Sequence, residues 1–189
     1  VGIAPGYSNL LIAKAIDELG ELEECKIRVG GIPSKPDNNW SYMAPFSPSD
    51  VIEEYERPAR IINNFEYIEV PAISDLHEID YEDLTEGKVP TLQAFLTDGL
   101  RSLLDYGNCR NMSEYTLRWP GHIEKFVHIQ NKGLLVGNER SETISKLIKE
   151  WKFIKNKKEF TILDVIAESN SKKKRWIVFD EGKDNISSM

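Results

Sequence analysis

The chain has 189 residues, 40% hydrophobic and 29% charged, which suits one globular domain rather than a disordered chain. Lys and Arg number 24 against 31 Asp and Glu, a formal net charge of −7, so the broad positive field that nonspecific binding to nucleic acid or an anionic membrane needs is missing. Two cysteines, Cys25 and Cys109, are too few for a disulfide scaffold or a paired zinc motif, and no apolar run reaches the ~18 residues of a membrane span, so a cytosolic protein is expected.

Val1-Gly2-Ile3-Ala4-Pro5-Gly6 has neither a starting Met nor a basic segment. It does not resemble a signal peptide and reads as a cut inside a longer protein. Pro5-Gly6-Tyr7-Ser8-Asn9 is a turn feeding a helix, with Ser8 or Asn9 as cap; Leu10, Ala13, Ile16 and Leu19 make its apolar stripe and Gly20 ends it. Residues 25–29 read as a strand that Gly30-Gly31-Ile32-Pro33 terminates. Residues 33–48 form a long connection with four prolines and the aromatics Trp40, Tyr42 and Phe46, and loops of that length are often functional. The cluster either caps the core or forms a pocket wall or dimer surface.

A helix is expected from Pro48-Ser49-Asp50 to about Tyr55, limited by Arg57-Pro58. Short strands at 59–62 and 67–70 flank the turn Asn63-Asn64. The acidic stretch 71–90 holds a short strand near Ile79, 91–97 is a strand, Asp98-Gly99 its corner, and 100–104 one or two helical turns. Residues 113–119 form a strand broken by Pro120-Gly121; amphipathic helices follow around Phe126 and Leu147. The last two strands, 160–167 and 175–179, are joined too briefly for a crossover helix and are antiparallel. The expected fold is α/β (α+β): a mixed, largely antiparallel sheet of about six strands with helices mainly on one face, in a single domain spanning 1–189.

No Gly-x-Gly-x-x-Gly or phosphate loop is present. Gly30 and Gly31 are either a tight strand exit or backbone kept bare for a ligand. Asp98 either caps the turns after it or accepts a hydrogen bond from a substrate amine. Arg118 offers a fork for a carboxylate. His122, at a helix start where imidazolium is disfavoured, is the one candidate acid or base. His77, His122 and His128 lack ligand spacing, so no metal is expected.

Six segments occur in one order: Ala4-Pro5-Gly6-Tyr7-Ser8-Asn9-Leu10-Leu11, Arg28-Val29-Gly30-Gly31-Ile32-Pro33, Asp50-Val51-Ile52-Glu53-Glu54-Tyr55, Arg57-Pro58-Ala59-Arg60, Leu96-Thr97-Asp98-Gly99-Leu100 and Thr116-Leu117-Arg118-Trp119-Pro120-Gly121-His122. Together they resemble the C-terminal part of the saccharopine dehydrogenase family, over nearly the whole chain. The tail from Gly182 with Ile186-Ser187-Ser188-Met189 looks like the segment leading into that family's final helix. The resemblance implies a fold like the second domain of glyceraldehyde-3-phosphate and dihydrodipicolinate reductases, with an N-terminal Rossmann domain and the final helix outside this chain. It implies NAD or NADP held mainly by that missing domain, with Pro5 and Gly6 at the junction, a homodimer, and an amino-acid substrate oxidised at a secondary amine, as in lysine metabolism; the fragment alone is expected to be inactive. Arg28, Gly30, Gly31, Tyr42, Phe46, Thr97, Asp98, Thr116 and Arg118 are the substrate-binding candidates. Alternatives are a carboxynorspermidine dehydrogenase-like polyamine reductase and a non-enzymatic dimerisation homologue. Two or more arginines converging near Thr97 and Thr116 would favour saccharopine, one arginine with two carboxylates the polyamine, and a flat surface a structural role.

Overall fold

The computed structural model describes residues 2–106, 108–183 and 187–188. Expectations for Ile186 and Met189 in the closing segment fall outside them. The elements in chain order are α1 (Tyr7–Leu19), β1 (Leu22–Pro33), α2 (Pro48–Glu56), β2 (Ala59–Asn63), β3 (Glu66–Val70), β4 (His77–Asp80), β5 (Thr91–Leu96), β6 (Cys109–Arg118), α3 (His122–Asn131), α4 (Glu139–Glu150), β7 (Glu159–Glu168) and β8 (Lys173–Glu181). Short 3₁₀ turns lie at Asp83–Thr85 and Arg101–Asp105.

The strands form one sheet in the order β3-β2-β6-β1-β7-β8, with β5 also on β6 and β4 on β5. Only β1 and β6 run parallel; the other pairings are antiparallel. One edge of β6 serves two strands, meeting β2 at Met112 and β5 along Tyr115 to Arg118. The sheet is thus mixed and largely antiparallel, with more strands than the six expected from sequence.

β1 does not stop at its glycines. Gly30 and Gly31 stay in the ladder, opposite Ile162 and Thr161 of β7. Continuous pairing overrides the weak strand propensity of glycine, and the missing side chain at Gly30 serves packing: a Cβ there would lie 2.9 Å from Leu117 Cβ and backbone oxygen. The start of α1 also differs from expectation. Gly6 is its cap residue and donates its N–H to Asn9 Oδ1 at 3.0 Å, while Ser8 is buried inside the first turn.

Strand alternation sorts the side chains. Cys25, Ile27, Met112, Leu163 and Val165 face α1, whose Leu11, Ile12 and Ala15 complete that cluster. Phe95, on the same face of β5, meets Tyr55 of α2 edge to face. The helices therefore gather on one face. The opposite face carries Leu117 and Ile162, and there Tyr81 donates to the buried Asp164 at 3.0 Å. The loop after β1 dips into the interior at residues 40–44, where Trp40, Tyr42, Met43 and Ala44 are buried, while residues 35–39 and Phe46 are exposed. Trp40 and Tyr42 pack edge to face on Trp151 at the end of α4, so they cap the core.

Candidate functional site: a cleft with one unpaired arginine

On the helix-bearing face a cleft of about 640 Å³ opens between the start of α1 and α2, a volume suited to a small molecule. Its floor is Val29, Gly30 and Gly31 of β1 with Glu114, Thr116 and Arg118 of β6; Thr97, Asp98 and Gly99 close one end. Glu114, Thr116 and Arg118 share this face because they alternate along β6, while Tyr115 and Leu117 point to the other core.

Arg118 is 5% exposed. Its Nε donates to Tyr55 Oη at 2.7 Å, its Nη1 donates to Leu117 O at 2.9 Å, and its guanidinium lies 4.4 Å from the centre of the Tyr42 ring. Among the described residues no carboxylate comes within ion-pair distance of it. A buried guanidinium without a counter-charge is costly, and the tyrosine faces offset that only in part.

Behind Arg118 runs a chain with one sense of donation. The Trp40 carbonyl can only accept, so His122 Nδ1, 3.0 Å away, carries the proton. His122 Nε2 then accepts from Tyr55 Oη at 3.1 Å, and that oxygen accepts from Arg118. Burial, and next the Arg118 charge, push the imidazole down to about 3. His122 is neutral, and the causes are burial and the Arg118 charge rather than its place at a helix start. It does not line the cleft; it positions the tyrosine that positions Arg118.

Asp98 has a different setting from a substrate acceptor. Arg60 grips its carboxylate twice, Nε to Oδ1 at 2.5 Å and Nη2 to Oδ2 at 2.9 Å. Arg57 Nε lies 3.0 Å from Oδ2 without hydrogen-bond alignment, and Arg101 Nη1 is 3.8 Å away. Three arginines thus surround one carboxylate that is 2% exposed. The threonines are also engaged. Thr116 Oγ1 donates to Glu54 Oε1 at 2.6 Å, which leaves Thr97 Oγ1 to donate to Thr116 at 2.9 Å. Their hydroxyl protons fix Glu54 of α2 at the cleft wall.

Glu114 is the second acidic group of the inner cleft and is 5% exposed. Its Oε2 is buried without a hydrogen-bond partner among the described residues. Burial, then the charge of Glu54, push its carboxyl up to about 8, with Arg101 acting in the opposite direction. Gly99 makes room for it, since a Cβ at that position would fall 1.9 Å from Glu114 Oε1.

Of the residues singled out from sequence, Gly30, Gly31, Phe46, Thr97, Asp98, Thr116, Arg118 and Pro5 meet at the cleft. Tyr42 sits behind Arg118, and Gly6 caps α1. Arg28 is elsewhere, on the far face, donating to Asp164 at 3.1 Å beside Arg175. Sequence reasoning passed over Glu54, Arg57, Arg101 and Glu114. Glu114 had a signal: polar residues at 114, 116 and 118 alternate with apolar ones, marking a polar stripe on an inward face. For Glu54 and Arg57 the helix offered none.

A profile of the saccharopine dehydrogenase C-terminal domain matches residues 2–186. The chain belongs to that family. The fold is similar to a structure described as apo histidine-tagged saccharopine dehydrogenase (L-Glu forming) from Saccharomyces cerevisiae, with a TM-score of 0.77 at 14% identity, over 100% of this chain and 60% of the yeast chain. The chain thus spans about 60% of that protein, and at this identity the likeness is one of fold.

The family's link to nicotinamide cofactors can be tested on the residues present. The cleft carries Asp50, Glu53, Glu54, Asp98 and Glu114 against Arg57, Arg101 and Arg118, two of which already face Asp98. An acid-rich lining of this kind does not fit a pyrophosphate, which needs amide and cationic donors. Among the described residues no group of three or more His, Cys, Asp or Glu is placed to hold a metal ion, and no helix is long and apolar enough to cross a membrane.

Proposed function

We propose that this domain is the substrate-binding half of a saccharopine dehydrogenase-like, NAD(P)-dependent oxidoreductase acting on the C–N bond of an amino-carboxylate, the nicotinamide cofactor being bound mainly outside this chain. The carrying observation is Arg118, a buried guanidinium at the cleft floor with no carboxylate partner of its own. An entering substrate carboxylate supplies the missing counter-charge in a low-dielectric site, where a bidentate pair is strong. The tyrosines and the His122 chain hold the fork in place beforehand, so little ordering cost falls on binding. The tertiary arrangement suits a binding and orienting role; the hydride chemistry belongs to the cofactor.

One observation favours the polyamine alternative. Around Thr97 and Thr116 the cleft presents one unpaired arginine with two acidic side chains, Glu54 and Glu114, because Arg57 and Arg101 are drawn to Asp98. That balance suits a substrate with one carboxylate and several amines, such as carboxynorspermidine. Steady-state assay of the full-length protein against saccharopine and carboxynorspermidine, with NAD and NADP, separates the two readings. In that assay Arg118→Ala should raise the substrate KM about tenfold to a hundredfold and leave the cofactor KM alone. An unchanged substrate KM would remove Arg118 from the site.

The domain is also proposed to pair with a second copy. Edge strand β8 has one neighbour in the sheet and half-buried apolar residues at 176–179, which suits strand-to-strand contact. A monomeric mass by sedimentation at high concentration counts against this.

A further inference from the structure

We propose that Glu114 is the ammonium-binding residue of the cleft, holding the cationic amine of a ligand whose carboxylate sits at Arg118. This rests on the reading of the cleft as a substrate site and assigns its second recognition point.

Three independent features of the geometry lead there. Glu114 is buried, lines the cleft, and has an Oε2 that no donor among the described residues reaches. Buried carboxylate oxygens are seldom left without partners, so this one is open to a donor from outside the described residues. Next, the backbone is shaped around this carboxyl. Gly99 leaves open the space its Oε1 occupies. Last, Glu114 and Arg118 stand at the two ends of one polar stripe on β6, four residues apart on the same face. At a rise of about 3.4 Å per residue their Cα atoms are roughly 14 Å apart. A zwitterionic chain with carboxylate and ammonium at opposite ends matches that pair; a dicarboxylate does not.

The neighbours of Glu114 strengthen the selection for a cation. Glu54 faces it from α2, held in place by Thr116, and Asp98 faces it from the end of β5. Arg101, from the following 3₁₀ turn, opposes them, and it leans toward Asp98 at 3.8 Å. The carboxyl, raised to about 8 by burial and by Glu54, holds a proton at neutral pH in the free protein. An ammonium must displace that proton, so binding releases it and tightens as the pH rises towards 8.

The test is calorimetric titration of the full-length protein with 8-aminooctanoate and with suberate, its dicarboxylate counterpart of equal length. The wild type should prefer the amino acid, and its affinity for that probe should rise from pH 6 to pH 8 while that for suberate does not. Glu114→Gln should weaken 8-aminooctanoate about tenfold to a hundredfold and abolish its pH dependence. Arg118→Gln should weaken both probes. A wild type that prefers suberate, or binds the amino acid equally at both pH values, overturns the assignment without recourse to any variant. A preference that survives Glu114→Gln overturns it as well. Equal binding of both probes by Arg118→Gln and wild type overturns instead the carboxylate site at Arg118. Binding of neither probe overturns both.

Discussion

Replacing Glu114 by Gln should make the folded domain more stable at neutral and alkaline pH, by an amount that grows with pH. In the folded state burial holds this carboxyl at about 8; its ordinary value, and that of the unfolded chain, is 4.5. Between those values the folded protein binds more protons at this site than the unfolded one. Stability therefore falls as pH rises through the interval. Each pH unit across it is worth about 1.4 kcal/mol, which gives roughly 3 kcal/mol at pH 7 and about 5 kcal/mol once the folded group has ionised. Glutamine has nearly the same shape and does not titrate. The difference in unfolding free energy between the variant and the wild type, relative to its value at pH 3, should be about 1 kcal/mol at pH 5 and climb steadily to pH 8. Urea unfolding of both proteins at each pH measures it, and comparing the two cancels the other titrating groups. A difference that stays flat, or that shrinks as pH rises, would refute the claim that Glu114 is buried without compensation.

Gly99→Ala should destabilise the domain by about 1–3 kcal/mol, because its Cβ collides with the Glu114 carboxyl. The penalty should largely vanish in a Glu114→Ala background, and a penalty of equal size in both would place the clash elsewhere. His122 should show the neutral Nδ1-protonated tautomer by nitrogen NMR from pH 8 down to pH 5, since its folded value is about 3 against an ordinary 6.5. Its linkage has the opposite sign to that of Glu114: the unfolded chain takes up a proton below about 6.5, so this group costs stability as pH falls. A midpoint near 6.5 in the folded protein would break the donor chain from Trp40 to Arg118.

The structural consequences of the sequence are uneven in how far they can be read along the chain. The hairpin turn between β2 and β3 follows from local chemistry: Asn64 and Phe65 both take positive φ, of 52° and 65°, and an Asn-rich turn between apolar runs announces it. The end of α2 at Arg57-Pro58 is equally local, because proline restricts the residue before it. The glycines of β1 mislead for a tertiary reason. Read alone, Gly30-Gly31 ends a strand; with β7 alongside and Leu117 against the Gly30 Cα, the same residues continue it.

The site divides in the same way. Arg118 and the stripe from Glu114 to Arg118 are visible in the sequence, since alternation along a strand fixes which side chains share a face. The ordered motifs were enough to indicate the family, which the match over residues 2–186 establishes. Composition set the charge at −7 but said nothing about where it would act. Only the fold decided that Asp98 collects Arg57, Arg60 and Arg101, that Arg28 turns to Asp164 on the far face, and that Arg118 and Glu114 are left without ion-pair or hydrogen-bond partners of opposite charge at the cleft floor. These pairings join residues tens of positions apart. Their energies depend on distance and burial, and neither is defined until the sheet has closed around them.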